Sequence, residues 1–122
     1  MIRRENLVDV DKHDGNGPRH VYHVVSKEEL NGHARMYARV VLPPGSKVAW
    51  HQHVKDTEPY YILQGEGDFY EGSSENGERI KNHVKAGDVC LIPVGGWHSI
   101  ENNSDSDLQF MALIYNEPNY LI

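Results

Sequence analysis

The chain has 122 residues and a single cysteine, Cys90. An internal disulfide is therefore excluded, and so is a thiolate-rich structural zinc site, which needs several Cys ligands. Cys90 stands in the apolar run Val89-Cys-Leu-Ile92, where a buried, inert thiol is expected. No apolar stretch approaches the roughly 20 residues that span a bilayer, so no membrane partner is expected. The N-terminus, Met1-Ile-Arg-Arg-Glu-Asn6, lacks the apolar core of a secretory leader, which leaves the cytoplasm as the expected compartment. Cations are also scarce. Lys and Arg number 12 against 18 Asp and Glu, a net charge of −6. They form no basic stripe, which argues against a nucleic-acid binder. Helical periodicity is nearly absent. Ser26 and Glu29 have the spacing of a capping box, but Asn31-Gly32 stops that segment after a turn or two.

What remains is a succession of short strands separated by Gly, Pro, Asn and Asp. The pattern predicts strands near 20–25, 33–42, 47–53, 58–64, 66–71, 79–84, 88–92, 97–102 and 107–115. Many short strands at this spacing point to an all-β antiparallel sandwich or jelly-roll barrel, and the length fits a single domain over residues 1–122. Residues 1–19 read as an N-terminal arm or loop, turn-rich from Asp11 to Pro18, and residues 116–122, with Pro118 and Tyr120, as a C-terminal tail. Glu71–Glu78 reads as a hairpin tip in which Asn76-Gly77 supplies a type I′ turn.

Two segments carry the chemistry. The first holds His51, His53 and Glu58, and the second holds His98. On a strand, residues two apart share a face, so His51 and His53 project together, roughly 7 Å apart. Glu58 has the wrong parity for the same uninterrupted strand. A turn through Val54–Thr57 returns its carboxylate to the same interior. His98 enters from a separate glycine corner, Pro93-Val-Gly95-Gly96. Three imidazoles and a carboxylate suit one divalent transition metal (Mn, Fe, Co, Ni or Zn) at five or six coordination, with one or two positions open for a ligand.

The spacing of these segments resembles the two motifs of the cupin family. Gly45, His51, His53, Glu58 and Gly65 match G-x5-H-x-H-x3,4-E-x6-G at every interval. Gly87, Pro93, Gly95, His98 and Asn102 match G-x5-P-x-G-x2-H-x3-N. The resemblance implies a double-stranded β-helix barrel, commonly a homodimer, with His51, His53, Glu58 and His98 as metal ligands. It leaves the reaction open, because one fold hosts many chemistries.

Parity outward from Glu58 turns Tyr60 and Ile62 inward, and Tyr61 and Leu63 outward. Tyr60 is a candidate catalytic phenol beside the metal, or else a packed barrel aromatic. On the 33–42 strand, Met36, Ala38 and Val40 are expected to line the pocket, with Arg35, Tyr37, Arg39 and Val41 outside. Trp97 is expected at the pocket rim and Trp50 outside it. Either Gln109, Met111 and Leu113 or Phe110, Ala112 and Ile114 face inward. No Arg and no second Glu is expected to point into the pocket, and His20, His23, His33 and His83 are expected at the surface or on edge strands, without a role in the site. These residues suggest a small-molecule enzyme of isomerase, lyase or dioxygenase type, acting on a chelating hydroxy, keto, carboxylate or sugar-derived substrate. A non-catalytic binding or sensing module is the alternative.

Overall fold

A computed structural model of the chain describes residues 1–12 and 16–118. The expected tail at 119–122, including Tyr120, lies outside the described residues. Ten strands are present among those described: β1 (Asn6–Lys12), β2 (Gly17–His23), β3 (Ala34–Leu42), β4 (Lys47–Gln52), β5 (Asp56–Gln64), β6 (Glu66–Gly72), β7 (Ile80–Lys85), β8 (Val89–Ile92), β9 (Trp97–Glu101) and β10 (Leu108–Asn116). They form a six-stranded sheet in the order β1-β2-β3-β10-β5-β8 and a four-stranded sheet in the order β4-β9-β6-β7. All pairs are antiparallel. This is the cupin jelly roll that the motif spacing implies.

Period-two alternation builds the core. Val40, Leu42, Tyr60, Ile62, Cys90, Ile92, Phe110 and Ala112 point inward from the larger sheet, and Val48, Phe69, Val84 and Ile100 meet them from the smaller. Their neighbours Tyr61 and Leu63 are 51% and 41% exposed, as the parity from Glu58 predicts. On β10 the inward set is Phe110, Ala112 and Ile114, which resolves the ambiguity there. Cys90 is buried, and burial pushes its thiol up to about 12. The thiolate needed for metal binding or nucleophilic attack is thereby suppressed.

Asn102 fastens one corner. Its buried amide donates to the carbonyls of Leu42 and Ser106, each at 2.8 Å. Its Oδ1 accepts from Ser104 N at 3.0 Å and Ser104 Oγ at 2.7 Å. The end of β9 is thus tied to β3 and to the loop leading into β10.

The structure departs from the sequence expectations at two turns. Residues 1–19 are not simply an arm, because β1 pairs with β2 from Asn6↔His23 to Lys12↔Gly17. On this edge strand the described Leu7 and Val8 are 46% and 45% exposed, so neither of these neighbours marks a buried face. The tip after β6 is not a type I′ hairpin either. Positive φ is found at Asn31 (56°) and Gly32 (79°), closing the capping-box turn, and not at Asn76 or Gly77. Residues 73–79 instead fold over Trp50, whose Nε1 donates to Glu75 O at 3.0 Å, while Arg79 stacks on its ring at 4.1 Å. Tertiary packing has overridden the local turn signal. The capping box itself forms: Ser26 N donates to Glu29 Oε1 at 2.8 Å, and Glu29 N donates to Ser26 Oγ at 3.2 Å.

Candidate metal centre

His51 and His98 are directly opposed across β4 and β9. The β4 register shifts between Val48 and His51. That bulge lets both residues face inward although they stand an odd number apart. His53 follows the end of β4, and Glu58 comes from β5 in the other sheet. The turn between them spans residues 53–55, as the parity of Glu58 requires. The site therefore straddles both sheets.

The four side chains converge. His98 Nε2 lies 3.0 Å from His53 Nε2 and 3.1 Å from His51 Nε2. Glu58 Oε1 is 3.0 Å from His53 Nε2 and 3.4 Å from His98 Nε2. All four ligand atoms lie within 4.8 Å of one another. His53, Glu58 and His98 are only 2%, 3% and 0% exposed.

The donor chemistry fits a divalent metal. His51 Nδ1 donates to Ala49 O at 2.7 Å, and His53 Nδ1 lies 2.5 Å from Asp56 Oδ1. These bonds hold the protons on Nδ1 and turn the Nε2 lone pairs toward one point. Facing lone pairs repel unless a cation sits among them. Two donors at right angles on bonds of about 2.1 Å sit about 3 Å apart, close to the separations above.

Electrostatics agree with neutral rings at His51 and His98 beside an anionic carboxylate, and set His53 apart. Burial lowers His51 and His98 below the usual histidine value. Burial also pulls on His53, but hydrogen bonds to Glu58 and Asp56 outweigh it, and its pKa is raised. For Glu58, burial acts upward and is overcome by hydrogen bonds from His53 and His98, leaving it at about 2. Tyr60 is held well above its usual value by burial, with the charge and hydrogen bond of Glu58 adding to the effect. Its phenol keeps its proton. The ring stands edge-on to His98, with centroids 5.6 Å apart.

A cavity of about 450 Å³ opens above the cluster. Tyr60, Met36 and Val40 line it. Ala38 and Ile62 do not, although both face inward at 0% and 1% exposure. Ala38 is wholly buried, and Ile62, two residues beyond Tyr60 on β5, packs in the hydrophobic core instead. Trp97 is not at the rim. Because His98 faces in, alternation turns Trp97 out, where it stacks on Trp50 at 6.0 Å.

Two expectations fail in the same place. Arg19 and His23 line the cavity from β2, and Arg35 lines it from β3. Arg35 stands where the β3–β10 register shifts between Ile114 and Tyr115, and its side chain meets Asp56, Nε to Oδ2, at 2.7 Å. Asp56 itself was legible only as a turn residue, since nothing in the sequence links it to His53. Arg19, Val21 and His23 are at alternate positions of one strand, but only Val21 is apolar, so the inward face left no recognisable pattern.

The sequence profile of the cupin domain matches residues 38–114 of this chain. The chain belongs to the cupin family. This cupin is 46% identical over 100 residues to an oxalate-binding protein of Thermotoga maritima, covering 82% of this chain and 78% of that protein. A Thermotoga maritima crystal structure, described as a predicted oxalate decarboxylase, superposes with a TM-score of 0.81 at 40% identity, covering 96% of this chain and all of that one. The formate complex of Lactobacillus farciminis oxalate decarboxylase shares the fold at a TM-score of 0.69 and 24% identity, over 94% of this cupin and 32% of that chain.

Proposed function

We propose that this cupin holds one divalent transition metal on His51, His53, Glu58 and His98 and uses it to bind a small chelating carboxylic acid, with oxalate as the candidate. One observation carries the reading. The converging donors form the floor of a cavity whose only lining acid among the described residues is Glu58, while Arg19, Arg35 and Lys47 bring positive charge. A chain of net charge −6 thus presents a cationic interior, which concentrates anions. The name of the Thermotoga relative supports the choice of acid.

The bound metal would supply Lewis acidity and open coordination positions. The chain's own residues do the rest. Glu58 stays ionised, Asp56 and Ala49 orient the imidazoles, and Met36, Val40 and Phe110 shield one side of the cavity from water. A second reading, turnover of isomerase, lyase or dioxygenase type, is favoured by Tyr60. It is a buried phenol that retains its proton and faces the same cavity, so it is placed to donate a hydrogen bond to a bound acid. We further propose that the whole chain acts as one cupin domain in the cytoplasm, where reducing conditions suit its buried lone thiol. It would be paired as a homodimer through the outer face of the six-stranded sheet.

Calorimetry on protein reconstituted separately with Mn, Fe, Co, Ni and Zn tests the reading, with products followed by NMR. Oxalate binding is expected with metal and absent in the His51→Ala/His98→Ala double variant. Binding that survives in metal-free protein, or in that variant with full metal content, would overturn it. Product formation lost in Tyr60→Phe would select the enzyme.

A further inference from the structure

Arg19 differs from Arg35, the other guanidinium at this cavity. It shares the inward face of β2 with Val21, which is 6% exposed, and with His23. Arg19 lines the same cavity as His51, His53, Glu58 and Tyr60. Arg35 is already committed to Asp56 at 2.7 Å, with its side chain half exposed. Arg19 has no such carboxylate partner among the described residues, and Glu58, the one acid lining the cavity among them, is engaged with His53 and His98.

A partly buried guanidinium without a counter-ion is an incomplete pair, and its planar fork fits a carboxylate through two parallel hydrogen bonds. Among the described residues no further acid lines the cavity to complete it, and a carboxylate of the ligand fits that place. The cavity of about 450 Å³ also has room for an acid longer than two carbons. We infer that Arg19 is the specificity-determining residue of this site and that the ligand is a dicarboxylate, chelating the metal at one end and meeting Arg19 with its second carboxylate. The inference rests on the metal-chelating reading above and adds the second charge and the residue that reads it.

The experiment compares two acids of equal length: oxalate, with two carboxylates, and glycolate, which chelates through one carboxylate and a hydroxyl. Affinities for both are measured calorimetrically on metal-loaded wild type, Arg19→Gln and Arg19→Lys, with malonate as a longer dicarboxylate. Metal content and thermal midpoint are recorded for each protein. Arg19→Gln is expected to weaken oxalate and malonate roughly tenfold to a hundredfold, the range for hydrogen bonds to a charged group. Glycolate should change by less than about twofold, the scale on which indirect effects of a remote charge are expected. Arg19→Lys keeps the charge without the fork and should fall between, which protects the test if the Gln variant folds poorly. Equal oxalate affinity in wild type and Arg19→Gln, or an equal loss of both acids at full metal content, overturns the role of Arg19 while leaving the metal site standing. Failure of metal-loaded wild type to bind either acid overturns the reading of the site and this role together.

Discussion

Asp56 Oδ1 lies 2.5 Å from Nδ1 of His53, and its other oxygen accepts from Arg35 Nε at 2.7 Å. The carboxylate is 5% exposed, so it holds the ring in a fixed orientation and raises the basicity of Nε2. Asp56→Ala is expected to lower metal affinity by roughly tenfold to a hundredfold, measured by competition against a chromogenic chelator. Arg35→Ala acts one step further out, through a half-exposed side chain, and should have a smaller effect. Wild-type affinity in Asp56→Ala would remove Asp56 from the metal centre.

Acid should unfold the metal-free protein in part through Glu58. Its pKa of about 2 in the folded chain lies below the ordinary 4.5. Its contribution to stability is therefore complete above pH 4.5 and is lost as pH falls toward about 2. His51 and His98, lowered from 6.5, favour neutral rings, so their contribution is present above pH 6.5 and lost below it. His53 is raised and works in the opposite sense. Thermal midpoints of wild type and Glu58→Gln should converge as pH drops through the lower window. A constant gap between them would contradict the buried-carboxylate account.

Two motif glycines with the same backbone hand should respond differently to a methyl. Gly65 has φ +83°, and an added Cβ would fall 2.3 Å from the carbonyl oxygen of Asp107. Gly87 has φ +96° and nothing within 4 Å. Gly87→Ala is expected to cost about 1–2 kcal/mol from backbone strain alone, and Gly65→Ala clearly more. Urea denaturation gives both values, and equal losses would contradict the steric argument.

The outer face of the six-stranded sheet carries Tyr61, Leu63, Val89 and Leu91, between 41% and 66% exposed. Tyr61 pairs with Val89 across β5 and β8, so the residues form a patch on an edge of the sheet. If a second copy covers it, light scattering should report a dimer for wild type and a monomer for Tyr61→Glu/Leu91→Glu. A monomeric wild type at tens of micromolar would exclude the pairing.

The four-residue cluster was legible because its members keep the fixed spacing of the two motifs. The β-bulge that places Val48 and His51 on one face left no trace in composition, and the motif carried it silently. Arg19 and Asp56 were unreadable for a different reason. Asp56 joins His53 to Arg35 on β3, and Arg19 reaches the cavity from a strand with one apolar inward residue; neither placement is written along the chain. Asn76-Gly77 shows the converse: its strong local signal yields to the packing of Trp50 and Arg79 above it.

Because His51 and His98 belong to one sheet and Glu58 to the other, a metal held by all of them would be a cross-brace between the two halves of the molecule. Separating the sheets must release the ion, so every tenfold rise in free metal above its dissociation constant would add about 1.4 kcal/mol against unfolding. In a metal-starved cell the unbraced chain opens more often and meets proteases more often. The quantity of this cupin would then follow metal supply with no dedicated regulator, a coupling set by where three histidines and a glutamate happen to be anchored.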